Sequence, residues 1–144
     1  LEVFFPADAP EIWINLLWFS KKATRLPEAL WFSFIPKLLQ NETWIIDKSG
    51  HEVDPCDVVR NGGRKLHAVQ KDVRAGEDNG RIIIESVDAP VVAPGERNLL
   101  NFDNAQPLTG NGMHFCLCNN VWGTNFTMWF EDDMQFRFKL RFET

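Results

Sequence analysis

Apolar and polar residues alternate almost without a break near the end of the chain. Phe136, Phe138, Leu140 and Phe142 fall on one parity; Gln135, Arg137, Lys139 and Arg141 fall on the other. A period of two marks a half-buried β-strand, here Met134 to Phe142, with one wet and basic face. Ile12 to Ser20 is apolar on both parities and predicts a central strand covered on both sides. Leu30 to Ile35 predicts a further strand, stopped by Pro36. The polar stretch Lys21 to Ala29 between them is read as a connection with room for one helical turn. Trp44 to Asp47 and His51 to Val53 flank Lys48-Ser49-Gly50, a hairpin pattern.

Asn61-Gly62-Gly63-Arg64 is a turn signal, because Asn and Gly tolerate positive φ. Leu66 to Gln70 is expected to follow as a strand. Arg74 to Gly80 reads as a charged loop, and Arg81 to Val87 as a strand centred on Ile82-Ile83-Ile84. Val91-Val92 is a short extended piece between proline-containing breaks. Asn98 to Gly112 has no clear period, and a stretch of that length is typically a functional or packed surface loop. Met113 to Cys118 predicts a strand with Met113, Phe115 and Leu117 on one face. The segment after it, from Asn125 to Phe130, is read as extended. Many short strands separated by turn signals predict an all-β, antiparallel β-sandwich in a single domain spanning 1–144.

Composition adds limits. The chain is 44% hydrophobic with twelve Phe and six Trp, enough to fill one core. A net charge of −5 argues against a nucleic-acid partner, which needs a clustered Lys/Arg surface. No apolar run approaches the roughly 20 residues of a membrane helix, so no membrane partner is expected. The start at Leu1, and a Glu2 to Pro10 stretch without a signal-peptide pattern, read as a segment of a longer polypeptide or a mature product. Two sequons, Asn41-Glu42-Thr43 and Asn125-Phe126-Thr127, fit secretion without establishing it, and localisation stays open.

Three cysteines give no disulfide framework. Cys116 and Cys118 lie two apart on a strand, where a bridge is geometrically awkward, so free thiols are expected. His51, His67 and His114 are scattered without ligand spacing, and neither metal nor cofactor is expected. Glu131-Asp132-Asp133 reads as water-facing carboxylates rather than a calcium site. Glu28, Asp103 and Asp132 are the acids from which a glycosidic pair would have to come. His67 and His114 occupy the polar parity of their strands, as structural histidines or as groove lining.

The stretch Asn119 to Phe130 points most clearly to chemistry. Amides offer paired donors and acceptors to hydroxyls, and an exposed indole offers a flat apolar face to a pyranose ring. Trp122 is read as either core anchor or groove residue, Trp129 as a core anchor in preference to a groove residue, and Asn119 and Asn120 as either sugar ligands or ties for loop backbone. Arg25-Leu26-Pro27-Glu28 pairs a fixed turn with a cation and a carboxylate, read as either a local ion pair or part of a site edge. The candidate carbohydrate-binding residues are therefore Arg25, Glu28, His114, Asn119, Asn120, Trp122 and Asn125.

Five blocks occur in order: Arg25 to Phe34, Asp57 to His67, Asn101 to Asn104, Gly112 to Phe115 and Asn119 to Phe126. Together they resemble the C-terminal region of an uncharacterised fungal and bacterial family of glycoside-hydrolase-like proteins. The N-terminal part of its long members is similar to glycoside hydrolase family 38 α-mannosidases. The resemblance runs from about Trp18 to Phe142. It implies a sandwich belonging to a galactose-mutarotase-like supersandwich, and a parent that is a glycoside hydrolase or hydrolase-like. The zinc site and nucleophile of the α-mannosidase group lie in the N-terminal domain, and none of those motifs matches positions here, so no catalytic role transfers.

The expectation is a non-catalytic C-terminal β-sandwich domain that supports an N-terminal catalytic domain of the parent chain and contributes loops to carbohydrate binding. The alternatives are a free-standing carbohydrate-binding module, a purely structural interface domain, and a small mutarotase-type epimerase using His67 and His114.

Overall fold

The computed structural model describes residues 1–37, 43–77, 80–101, 103–123 and 127–143. Among the described residues eleven strands run in chain order: β1 (Glu2–Phe4), β2 (Glu11–Lys21), β3 (Ala29–Phe34), β4 (Trp44–Lys48), β5 (His51–Val53), β6 (His67–Ala68), β7 (Asp72–Glu77), β8 (Gly80–Ser86), β9 (Val91–Pro94), β10 (Met113–Asn119) and β11 (Asp132–Glu143). They form two antiparallel sheets. The larger has the order β1-β2-β11-β8-β7-β4-β5 and the smaller β3-β10-β9-β6. The chain is an all-β sandwich. Among the described residues the only helical piece is a short 3-10 turn, Thr109–Asn111.

The core follows from the alternation. Phe138 is 2% exposed and faces the smaller sheet. Its ring centroid lies 5.1 Å from Phe32, 5.4 Å from Phe34 and 5.2 Å from Phe115. The contacts to Phe34 and Phe115 are edge-on, an arrangement aromatic quadrupoles favour. Val92, Met113, Val73, Ile84 and Ile46 continue the same apolar layer. Trp44 closes the layer toward the long 95–112 connection: its buried indole N–H donates to the Thr109 carbonyl at 3.0 Å.

The basic face of β11 is balanced by acids on its neighbours. Lys139 pairs with Glu11 at 2.9 Å, Arg141 with Glu85 at 2.9 Å and Arg137 with Asp88 at 2.8 Å. The Arg137 guanidinium beside Asp88 holds that carboxyl below its usual range.

Several expectations need correction. β2 is not a covered central strand. It lies second from the sheet edge, and Trp13 and Phe19 on its outer face are exposed. Its apolar outer parity imitates two-sided burial. The segment from Arg74 is not a loop but part of β7, hairpinned to β8, with Val73 and Ala75 inward and Arg74 outward between Asp72 and Glu52. The 22–28 connection contains a bend and no helical turn. Leu66 to Gln70 contributes only two paired residues, His67 and Ala68. His67 pairs with buried Val92 and is itself 4% exposed, so it sits inside the sandwich rather than on a polar face. β1 has no counterpart among the expected strands. The 127–130 part of the expected extended segment carries no strand, and residues 125–126 lie outside the described ones. All three thiols are free, and a bulge between Cys116 and Cys118 breaks their common facing.

Candidate functional site

Four chain segments meet at one end of the sandwich: the end of β2, the 22–28 connection, the residues just after β10, and the approach to β11. The buried ammonium of Lys21 organises them. It lies 2.6 Å from Glu28 Oε1 and also donates to the carbonyls of Lys22 at 3.1 Å and Phe130 at 3.4 Å. The side chain is 2% exposed, so the charge is held by these oxygens instead of by water.

Asn120 does the same for the connection. Its Oδ1 accepts from the Glu28 N–H at 2.6 Å, and its Nδ2 donates to the carbonyls of Thr24 and Leu26 at 3.1 and 2.9 Å. The Asn120 N–H adds a bond to the Glu28 carbonyl at 3.1 Å. Asn119 Oδ1 accepts from the N–H groups of Val121 and Trp122 at 3.2 and 3.4 Å, an Asx-type turn that sets the direction of the Trp122 backbone. On the far side, Glu131 accepts from Ala23 N–H and Asp133 from Ser20 N–H. Those acids brace the loop. Among the described residues no group of three or more His, Cys, Asp or Glu side chains is placed to hold a metal ion.

On this braced end lie exposed aromatic faces. Trp122 is 39% exposed and Trp129 41% exposed. The Arg25 guanidinium sits 5.0 Å from the Trp129 ring centroid, within cation–π range. Arg25 and Glu28 therefore do not pair with each other: Arg25 stacks on Trp129, and Glu28 serves Lys21. Trp18, Phe19 and Leu26 are exposed on the same end.

The fold thus brings together Arg25, Glu28, Asn119, Asn120 and Trp122. It does not bring in His114. That residue lies five positions before Asn119 on β10, roughly 17 Å away by the rise of an extended strand. It is buried on the outer face of the smaller sheet, between Ser33 and Ala93. His114 Nδ1 lies 2.7 Å from Ser33 Oγ, and the ring also bonds the Gly95 carbonyl. Burial pushes its pKa below the ordinary histidine value, with Arg97 adding to the effect. It borders a cavity of about 380 Å³ that Ile35, Glu96, Arg97 and Asn111 also line. Among the described residues no carboxylate is hydrogen-bonded to the ring. A neutral imidazole held by one hydroxyl and one carbonyl is a satisfied buried group, and it has no partner of the kind that orients a catalytic base. Asn125 lies outside the described residues.

Sequence reasoning missed Lys21 and favoured a core position for Trp129, which is 41% exposed. A lysine at a strand end gives no sign of burial, since its pairing with Glu28 depends on how the connection folds back and its cover on the distant Phe130 carbonyl. The Arg25–Trp129 stack joins residues far apart in sequence, so no local pattern announces it. Glu28 and Asp103, two acids considered for glycosidic chemistry, are each committed: Glu28 to Lys21, and Asp103 to Lys65 at 3.5 Å in a different loop cluster. Compared with known protein families, curated proteins and solved structures, the chain gives no match.

Proposed function

We propose that the domain is a non-catalytic β-sandwich module of a glycoside-hydrolase-like protein, and that its tryptophan-bearing end borders a bound carbohydrate. The single observation that carries this reading is the pair of exposed indoles, Trp122 and Trp129, mounted on a loop cluster that Lys21 and Asn120 hold rigid. Rigid aromatic faces lose little entropy on contact and suit the apolar face of a pyranose. The resemblance of the five sequence blocks to a glycoside-hydrolase-like family supports the same reading, including membership of a mutarotase-like supersandwich. Among the described residues at this end Glu28 is committed to Lys21 and Glu131 and Asp133 to backbone N–H groups, and on this reading the chemistry is that of the parent's catalytic domain.

A second reading rests on a specific observation. The carboxamides of Asn119 and Asn120 are engaged with backbone and with the Cys116 thiol, so few polar groups remain for sugar hydroxyls. With Trp18, Phe19 and Leu26 exposed beside them, the same end suits an apolar interface with the catalytic domain.

Titration of the folded chain with mannosides, galactosides and their oligomers, followed by tryptophan fluorescence and calorimetry, separates the two. Saturable binding lost in Trp122→Ala and Trp129→Ala, with unchanged thermal unfolding, supports the carbohydrate edge. No heat at millimolar sugar from a folded chain rejects it and leaves the interface reading.

A further inference from the structure

The register of the smaller sheet places a second loop cluster away from the tryptophans. β10 runs from Met113 to Asn119, β9 pairs Pro94 with Met113, and β6 pairs His67 with Val92. The chain entering β6 and the chain leaving β9 therefore emerge at the end opposite Asn119. There the 61–66 turn and residues Leu99, Asn101, Asp103 and Asn104 enclose a cleft of about 340 Å³, at the small end of the range for small-molecule sites.

Its lining is chemically mixed. Leu66 and Leu99 supply apolar surface, and Leu99 is 7% exposed. Lys65 and Asp103 form one wall, paired at 3.5 Å. Asp103 is fixed further by the Ala105 N–H at 2.8 Å and lies below the usual carboxylate range through that bond first. Arg64 supplies the other charge. Its Nη2 donates to the Val58 carbonyl at 3.0 Å, while its Nε is shielded from water and has no acceptor among the described residues. The guanidinium lines the cleft, and its planar donor fork fits an incoming carboxylate. The rim carries the amides of Asn61 and Asn104, groups that both donate to and accept from hydroxyls.

We propose that this cleft binds an acidic sugar, a small polyhydroxylated ring bearing a carboxylate. The carboxylate meets Arg64, the hydroxyls meet Asp103 and the rim amides, and the C–H face of the ring lies on Leu66 and Leu99. The cleft is distinct from the tryptophan end, and the proposal does not depend on the reading of that end.

The test is an amide NMR titration of the full chain with glucuronate and galacturonate, and in parallel with methyl glucoside and inorganic sulfate. The expected result is saturable shifts confined to residues 61–66 and 99–104 for the uronates, with binding weakened about tenfold by Arg64→Gln. Asn104→Ala, on the exposed rim and without a side-chain bond to the described residues, weakens it about threefold and keeps the test decisive if Arg64→Gln unfolds. Equal binding of methyl glucoside overturns the role of the carboxylate. Equal binding of sulfate overturns the role of the ring. No shift at millimolar uronate overturns the site altogether. Shifts confined to the Trp122 and Trp129 indoles overturn it while supporting the carbohydrate edge proposed above.

Discussion

Lys21 Nζ and Glu28 Oε1 lie 2.6 Å apart, and the lysine is 2% exposed while the glutamate is a quarter exposed. The pair therefore spans the boundary between core and solvent, and it fixes where the connection after β2 turns back toward β3.

Removing the carboxylate leaves a buried cation held only by carbonyls. Glu28→Ala is expected to lower stability by about 3 kcal/mol in urea unfolding. The double variant Lys21→Met, Glu28→Leu should regain most of that loss, because no charge stays buried. A double variant as unstable as the single one would show that the pair is not the source of the effect.

Asn120 makes three side-chain bonds to a loop that has no secondary structure of its own. Asn120→Ala should cost about 2 kcal/mol. It should also speed hydrogen exchange at the Glu28 amide selectively, while amides in β8 and β11 stay protected. Uniform acceleration across the sheets would mean the residue supports the whole fold instead of one loop.

The aromatic layer predicts a contrast along one strand. Phe138, 2% exposed among three rings, should cost about 3–5 kcal/mol on Phe138→Ala. Phe142 has the same parity but is 40% exposed, and Phe142→Ala should cost under about 1.5 kcal/mol. Chemical denaturation of the two variants measures both, and equal losses would contradict the position of the core.

His67 and His114 are both held below the ordinary histidine value of 6.5, chiefly by burial. Below that pH the unfolded chain takes up protons that the folded chain refuses, so stability must fall as pH drops. The loss begins as pH falls through the ordinary histidine range and continues down to the depressed folded values. Carboxylates such as Asp88, whose pKa is lowered, act only at more acid pH. Urea midpoints measured from neutral pH to about pH 5 should decline, and less steeply in His67→Gln or His114→Gln. A flat profile in the parent chain would exclude the effect.

The strands with one apolar and one polar face were legible in the sequence. β11 and β10 came within a residue or two of their observed bounds, because burial on one side imposes the alternation directly; β3 did so although it is apolar on both parities, because Pro36 marks its end. β7 was not, since Asp72 and Arg74 sit on its outward parity and outnumber the small inward Val73 and Ala75 in impression, though not in register. β2 misled in the opposite direction: exposed Trp13 and Phe19 on a near-edge strand look like a second buried face. At the candidate site, the loop-tying role open to Asn120 could be anticipated, because an Asn after a strand often binds backbone. The partners of Arg25 and Glu28 could not, since they are chosen by which strands become neighbours. His67 was assigned to the wrong face for a similar reason: a strand of two paired residues is too short for parity to be read.

The position of β11 has a kinetic consequence. It joins the β1-β2 ribbon to the β8-β7-β4-β5 group, yet its residues are made after the ten other described strands. Until residues 132–143 exist, the facing edges of β2 and β8 each lack a partner. Contacts between β2 and β11 also join residues that lie more than a hundred positions apart, so sheet closure is a late and slow event of high contact order. During synthesis the two halves of the larger sheet must wait with open edges, the state in which a β protein is most prone to pair with a neighbour of its own kind.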